Sequence, residues 1–375
     1  MVLRLGFNNS ELIPVYEELS RNFPQQRIDL GATSLDYTQM GTRSLAKAND
    51  GRIDSAELFE ALVSNPKLHA VYRRFASEPL PWEAGTQPAT QTFLRRFDGM
   101  VARWRKEHPQ EPRTGEALVR EIYGFVTLGT GLGMRADESA PEMNIDQIVA
   151  QGRGDCTEFT KIFLLLLSRA GYSPFPVWVR KDLRGAEPIH IVAAVEVGGK
   201  NLLLDPVYGS FNPLHLSVSR ISLREFLAWH WNNKALEVQQ RSPDRALQYF
   251  ARALSIDPNN PHFLTNRGIF RLKRGELALA IGNFKAALRE SPNFHPALFQ
   301  MGNVEFDEEN YLEAADFYRQ AVAQSPRREV YLHNLVLANS LGGDRASAKR
   351  VFQELCKIMP AQPELLKMLP YLNQD

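Results

Sequence analysis

An α+β core followed by an all-α helical array is the fold class the sequence predicts, and three observations predict it. An apolar helix opens directly behind Gly154-Asp155-Cys156 in GRGDCTEFTKIFLLLLSRAGY. Two strand-like runs, PIHIVAAVEV and NLLLDP, flank a Val-Gly-Gly-Lys turn, and a 34-residue pattern recurs through the last third of the chain. A helical segment precedes the core. The expected divisions are therefore 1–110 for that segment, 111–226 for the core and 227–375 for the array.

In the first segment, helical periodicity marks 10–22, 55–76 and 91–106, with breaks such as EPLPWEAGTQP between them. The third stretch sets Phe93, Phe97, Met100, Val101 and Trp104 along one side, and Arg95, Arg96, Arg103 and Arg105 along the other. That is the pattern of a solvated amphipathic helix. ANDGRIDSAEL resembles the second half of an EF-hand loop through Asp50, Gly51, Ile53, Asp54 and Glu57. With Gly51 at the sixth loop position, Ala46 and Ala48 stand where calcium needs oxygen ligands, so the loop reads as degenerate and no metal is expected.

The core helix carries its own start signal. Asp155 is placed to cap it and Glu158 stands three residues on, the spacing of a capping box. Phe159, Ile162, Phe163, Leu166 and Leu167 then predict burial on most sides, and Gly171 ends the helix. A cysteine in its first turn can be activated, because the positive end of the helix dipole and a neighbouring imidazolium both lower a thiol pKa. Two strands follow. Glycines supply the positive φ of a tight turn, so residues 189–197 and 201–206 are read as a hairpin. With an even loop, directly opposed residues have an odd sum, so His190 lies across from Asp205 or Val207 and shares a face with Asp205 in either register. The other face would carry Ile189, Ile191, Val195, Leu202 and Leu204, and the His190 face is expected to look toward the head of the Cys156 helix. Taken singly, each residue also fits a plainer role: a small buried thiol, a core histidine, an Asp-Pro turn.

Taken together, Gly-Asp-Cys on a helix, histidine on one strand and Asp-Pro closing the next resemble the transglutaminase-like superfamily, over roughly residues 115–212. The resemblance implies a papain-like fold and a catalytic triad of Cys156, His190 and Asp205. In that triad the thiolate attacks an acyl carbon, His190 shuttles the proton and Asp205 orients the imidazole. The Cys156 backbone N–H is a natural oxyanion donor, and by position Tyr123 or Gln151 could supply a second. The implied activity is thiol acyl transfer on a peptide or protein amide. Nothing in the sequence argues for an amine acceptor or for calcium. Hydrolysis by a cysteine peptidase or amidase is thus favoured over a glutamine transferase, with no cofactor. A non-catalytic adaptor built on a decayed core is the alternative from another class.

In the array, Leu264, Gly268, Ala280, Phe284, Ala287 and Pro292 recur as Leu298, Gly302, Ala314, Tyr318, Ala321 and Pro326. A third copy keeps Leu332, Ala348, Phe352 and Pro360, with Leu355 in place of an alanine. This resembles the tetratricopeptide repeat, in which small residues let paired helices approach and an aromatic fills the seam. A degenerate copy at 227–260 keeps Ala246, Phe250, Ala253 and Pro258 but has His230 and Lys234 at the usual large and small positions, so its first helix is expected to pack on the core as well. Residues 361–372 would cap the array, and Cys356 reads as structural. Stacked repeats form a concave groove for peptides or proteins, and Asn266, Arg267, Gln300, Asn303, His333 and Asn334 are the candidate groove positions.

Composition excludes other classes. Lys plus Arg number 44 against 43 Asp plus Glu, a balance that argues against a nucleic-acid surface. Two cysteines make no disulfide framework, and FLLLL is far short of a membrane span. The first residues lack an apolar signal-peptide stretch, which gives a cytoplasmic expectation.

Overall fold

The computed structural model describes residues 80–358, apart from 84, 129–130, 138–140 and 183–189, together with the dipeptides 27–28 and 52–53. Of the EF-hand-like loop only Arg52–Ile53 is described, and the predicted helices at 10–22 and 55–76 and the predicted cap at 361–372 lie outside the described residues. The chain divides into two compact units, Met1–Glu237 and Val238–Asp375. The expected boundaries at 110 and 226 do not coincide with that division, and the reason is packing.

In the first unit, helix α1 (Pro88–Glu107) buries Phe93, Phe97, Met100, Val101 and Trp104. These join one hydrophobic core with α2 (Glu116–Thr127), α3 (Ile145–Gln151) and α4 (Cys156–Arg169). The apolar stripe on α1 is wide enough to be a core face, so no domain boundary falls at 110. Helix α4 is the centre of the unit: of its fourteen residues, Thr157 to Leu164, Leu166 and Leu167 are buried. Its start is the predicted capping box, with the Thr157 N–H donating to Asp155 Oδ1 at 2.6 Å and the Asp155 N–H donating to Glu158 Oε2 at 3.3 Å. It ends as predicted at Gly171, whose φ of 91° only glycine adopts without strain, and the Tyr172 N–H reaches back to Leu167 O at 3.0 Å.

Five antiparallel strands form a sheet in the order β4-β3-β2-β1-β5: β1 (Pro174–Lys181), β2 (His190–Val197), β3 (Lys200–Asp205), β4 (Ser210–Phe211) and β5 (Ser217–Arg220). The β2–β3 turn is the two-residue Gly198-Gly199 loop, with φ of 58° and 74°. Pairing of Val197 with Lys200 and of Ala193 with Leu204 selects the register that points His190 at position 207. Ala193, Val195, Leu202 and Leu204 pack in the core shared with α4. On the other face, Val192, Ala194 and Leu203 meet Phe175, Val177 and Val179 of β1.

Helix α5 (Leu223–Val238) closes the first unit, with Trp229 edge-on to Trp178 at 4.7 Å. This is the degenerate first helix that sequence assigned to both domains, and the structure places it almost entirely with the core.

The second unit is a run of paired helices: α6 (Pro243–Ile256), α7 (Pro261–Lys273), α8 (Leu277–Glu290), α9 (His295–Asp307), α10 (Tyr311–Gln324), α11 (Glu329–Leu341) and α12 (Arg345–Ile358). Ala280, Ala287, Ala314 and Ala321 are fully buried at the seams. A Cβ on Gly268 would stand 2.4 Å from the Phe284 ring, and one on Gly302 2.6 Å from Tyr318, so each glycine is required by close helix approach. Cys356 packs against Leu332, Val336, Ala348 and Leu355, the structural role its sequence context gave it. Among the described residues, no helix is long and apolar enough to cross a membrane.

Candidate functional site

His190 and Asp205 meet as the register requires. His190 Nε2 lies 2.8 Å from Asp205 Oδ2, and the carboxylate is fully buried. A residue that the sequence did not single out joins them: His215 Nε2 lies 2.9 Å from the same oxygen. The Tyr208 backbone N–H donates to Asp205 Oδ1 at 3.4 Å, and its ring stands 5.2 Å from that of His190 and 5.3 Å from that of His215. The Tyr208 hydroxyl donates in turn to Asp182 Oδ2 at 2.7 Å.

Cys156 arrives differently from expectation. Helix α4 packs on the Ala193–Val195 face of the sheet, so the His190 face does not look at the helix body. The helix head instead meets β2 through the strand backbone, where the Thr160 hydroxyl donates to Ile191 O at 3.1 Å and the Ile191 backbone acts electrostatically on the thiol. No hydrogen bond joins Cys156 to His190 among the described residues. The electrostatics also run against the expected activation. Burial pushes the thiol pKa up, the Asp155 carboxylate adds to the rise, the Ile191 backbone opposes it, and Glu158 and Asp205 push it further up. The acidic cap that starts the helix holds negative charge beside the sulfur and so adds to the effect of burial.

Of the two oxyanion candidates, Gln151 is exposed and its Oε1 accepts from Arg153 Nε at 3.1 Å. Tyr123 is half-buried, stacked on Phe163 at 5.8 Å and edge-on to Phe211 at 5.5 Å. Burial, and then the Asp205 carboxylate, push its phenol up to about 12, so at neutral pH it keeps its proton and can donate.

Behind the thiol, an ionic cluster is sealed in the core. Lys161 Nζ bonds Glu142 Oε1, Glu158 Oε1 at 3.0 Å and Met143 O at 2.8 Å, and His230 Nδ1 lies 2.8 Å from Glu142 Oε1. Lys234 Nζ donates to Glu142 O at 2.7 Å. The odd residues of the degenerate repeat, His230 and Lys234, thus bind the core. Burial alone would raise Glu142, but Lys161 and His230 outweigh it and hold the carboxyl well below its ordinary range.

His230 is depressed to about 4 by burial and by the Lys161 ammonium, against the pull of Glu142. Its ordinary value is 6.5, so between the two the unfolded chain holds the extra proton and stability falls as pH falls. Glu158, raised from 4.5 to about 8 by burial against Lys161, acts oppositely: the folded state holds the proton and stability falls as pH rises. Replacing His230 with glutamine should therefore remove the acid-sensitive part alone. Urea melts followed by tryptophan fluorescence read this unit, since Trp82, Trp104, Trp178, Trp229 and Trp231 all lie in it. From pH 6.5 to 4.5 the variant should gain on the parent by up to about 1.4 kcal/mol per pH unit. Parallel pH curves would show that His230 does not titrate with folding.

Four of the candidate groove residues, Gln300, Asn303, His333 and Asn334, are linked to one another. Tyr318 Oη donates to Asn303 Oδ1 at 2.8 Å, and Asn334 Nδ2 donates to the same oxygen at 3.2 Å, which ties two repeats together. Asn303 Nδ2 reaches Gln300 Oε1 at 3.4 Å, and His333 Nδ1 lies 3.3 Å from Asn334 Oδ1. Arg267 Nε donates to Asn283 Oδ1 at 2.8 Å. Asn266 is also engaged in an interaction. These side chains hold the array in shape, and a ligand there would meet a preformed polar surface.

Comparisons with known proteins concern the array. A tetratricopeptide-repeat family model matches residues 235–295 and 266–329. Tetratricopeptide repeat protein 6 of Homo sapiens is 28% identical over 96 residues, 26% of this chain and 18% of that protein. Small glutamine-rich tetratricopeptide repeat-containing protein 2 of Mycosarcoma maydis is 29% identical over 98 residues, 26% of this chain and 27% of that protein. The chain thus spans about a fifth to a quarter of these relatives. Among solved structures, PilF of Pseudomonas aeruginosa aligns with a TM-score of 0.37 at 22% identity, covering 40% of this chain and 70% of that one. MamA of Desulfovibrio magneticus RS-1 aligns with a TM-score of 0.35 at 22% identity, covering 39% and 83%. The C-terminal half contains tetratricopeptide repeats, a protein-interaction module, preceded by a mixed region with a small antiparallel sheet.

Proposed function

We propose that the first unit is a transglutaminase-like thiol enzyme acting on a peptide or protein amide, with hydrolysis as its outcome, and that the repeats bind the substrate or a partner protein. The observation that carries this reading is the buried His190–Asp205 bond next to Ile191, the strand residue whose carbonyl accepts from Thr160 in the first turns of the Cys156 helix. A carboxylate only accepts, so His190 carries its hydrogen on Nε2 and keeps Nδ1 as a base. In the proposed cycle His190 takes the thiol proton as Sγ attacks the acyl carbon. The imidazolium then protonates the departing amine, and water, deprotonated by the same ring, releases the acid and restores the thiol. Tyr123 supplies the second oxyanion donor. Because burial keeps the thiol protonated at rest, His190 acts as a general base during attack, without a standing thiolate.

The test is carbamidomethylation of Cys156 by iodoacetamide at pH 7, followed by peptide mass spectrometry, with Cys356 as internal control. His190→Ala should slow Cys156 by about a hundredfold, the lower range for a positioned base, and leave Cys356 unchanged. Equal rates in the two chains would overturn the reading.

The raised thiol pKa favours a second reading, a core retained as scaffold for an adaptor. It expects Cys156→Ala to keep full biological activity, where the enzyme reading expects total loss.

A further inference from the structure

His215 is the one imidazole at the site that the proposed cycle leaves without a role. We propose that it is a positioning residue: it holds the Asp205 carboxylate and through it fixes the tautomer and angle of His190. This rests on the enzyme reading for its purpose but not for its geometry.

Both rings point Nε2 at the single oxygen Asp205 Oδ2, at 2.8 and 2.9 Å. An ionised carboxylate offers no hydrogen, so both rings must donate from Nε2. The His215 side chain is fully enclosed, and its Nδ1 is buried with no partner among the described residues. Its one polar bond is therefore the bond to Asp205. The flanking residues sharpen the point: Leu214 is 85% exposed and Leu216 63% exposed, so the loop buries its histidine and exposes its leucines. Burying an imidazole with one nitrogen unmet is costly, and a leucine would fill the space more cheaply if packing were the only need. The arrangement is intelligible if the Nε2–H is what the loop delivers.

The effect on Asp205 follows. Tyr208 N–H restrains Oδ1, and the two rings share Oδ2, so the carboxylate is held at both oxygens. Carboxylate χ2 is otherwise a broad, soft rotation. Without His215, Oδ2 keeps a single donor, the carboxylate can swing, and His190 is no longer confined to the Nε2–H tautomer that leaves Nδ1 as the base. The same three residues also bring their ligand atoms within 4.8 Å of one another, as a divalent cation would need. Metal-bound histidines, however, donate their second ring N–H to an acceptor, and His215 has none among the described residues.

The experiment compares the full chain with His215→Leu and His215→Gln, the latter retaining an N–H donor. Long-range nitrogen–proton NMR of labelled imidazoles, with the His190 signals assigned by His190→Gln, reads the tautomer directly. Iodoacetamide labelling of Cys156 across pH reads its consequence. Tryptophan melts check that the fold survives, and if His215→Leu unfolds, His215→Asn, too short to reach Oδ2, replaces it. The expected result is a single Nε2–H tautomer at His190 in the parent, a mixture in His215→Leu and recovery in His215→Gln. Cys156 labelling should be at least fivefold slower in the leucine chain, with a displaced pH profile. An unchanged His190 tautomer in His215→Leu overturns the inference, and so does stoichiometric zinc uptake by the parent that the leucine chain loses. If His190→Ala leaves labelling unaltered, the enzyme reading fails, while the tautomer spectra still decide the role of His215.

Discussion

Lys161→Ala should cost the first unit about 3–5 kcal/mol, the largest stability loss that a single substitution in this chain is expected to produce. The ammonium is completely buried between Glu142 and Glu158, neither of which has appreciable exposure. Burial by itself lowers a lysine pKa, yet the two carboxylates outweigh it and raise that of Lys161. Removing the cation leaves the buried Glu142 carboxylate without its main counter-charge, beside a Glu158 that holds its proton, and the lost alkyl stem adds a cavity. A domain commonly holds only about 5–15 kcal/mol in total, so a large share of the folded state's margin is at stake. Urea melts on tryptophan fluorescence measure it. An uncharged triple, Lys161→Met with Glu142→Gln and Glu158→Gln, should recover most of the loss, because the cost lies in uncompensated charge rather than in the ion pairs themselves. A loss below about 1 kcal/mol in Lys161→Ala would mean that water enters the cluster, and the sealed-core description would fail.

Asp205→Asn should produce the largest functional change after loss of the thiol itself. An asparagine can keep an oxygen toward the two rings, but it has no charge to stabilise the imidazolium formed when His190 takes the thiol proton. Turned the other way, its amide hydrogens face two N–H donors and force the rings into the opposite tautomer. The first outcome weakens the base at Cys156 and the second removes it. The expected fall in amide turnover, or in the His190-dependent part of Cys156 labelling, is about 10²- to 10⁴-fold, the range for a triad acid replaced by its amide. The fold should survive, since the substitution is isosteric. Labelling within about twofold of the parent would show that the Asp205 charge is idle, which the scaffold reading requires and the enzyme reading forbids.

What could be read from sequence was what neighbouring residues decide. The Asp155–Glu158 box, the Gly171 stop and the Gly198-Gly199 hairpin each involve residues a few positions apart. That His190 and Asp205 share a face follows from that hairpin by parity. The repeats were legible because the glycine–aromatic contact recurs at a fixed period. The rest depended on groups that are distant in the chain. Lys161 reads as a polar break in an apolar helix until Glu142 and His230 arrive, the latter 88 residues from Glu142. Its one sequence signal was the misfit of His230 and Lys234 in the repeat pattern. His215 sits in a loop between exposed leucines, where no periodicity announces an inward side chain. The electrostatics of Cys156 were misjudged for a different reason. Burial of the thiol, the larger cause, depends on distant packing, and the aspartate that makes a helix start recognisable was counted as a cap and not as a charge that adds to the rise.

The Glu142 cluster also sets an order of events during synthesis. His230 and Lys234 leave the ribosome some seventy residues after Lys161, and until they do, Glu142 lacks two of its partners. A nascent chain ending at 226, where the sequence alone would cut, has every catalytic candidate and an unfinished interior. The first helix of the repeat pattern is thus the last piece of the core, and translation must enter the array before the core can close.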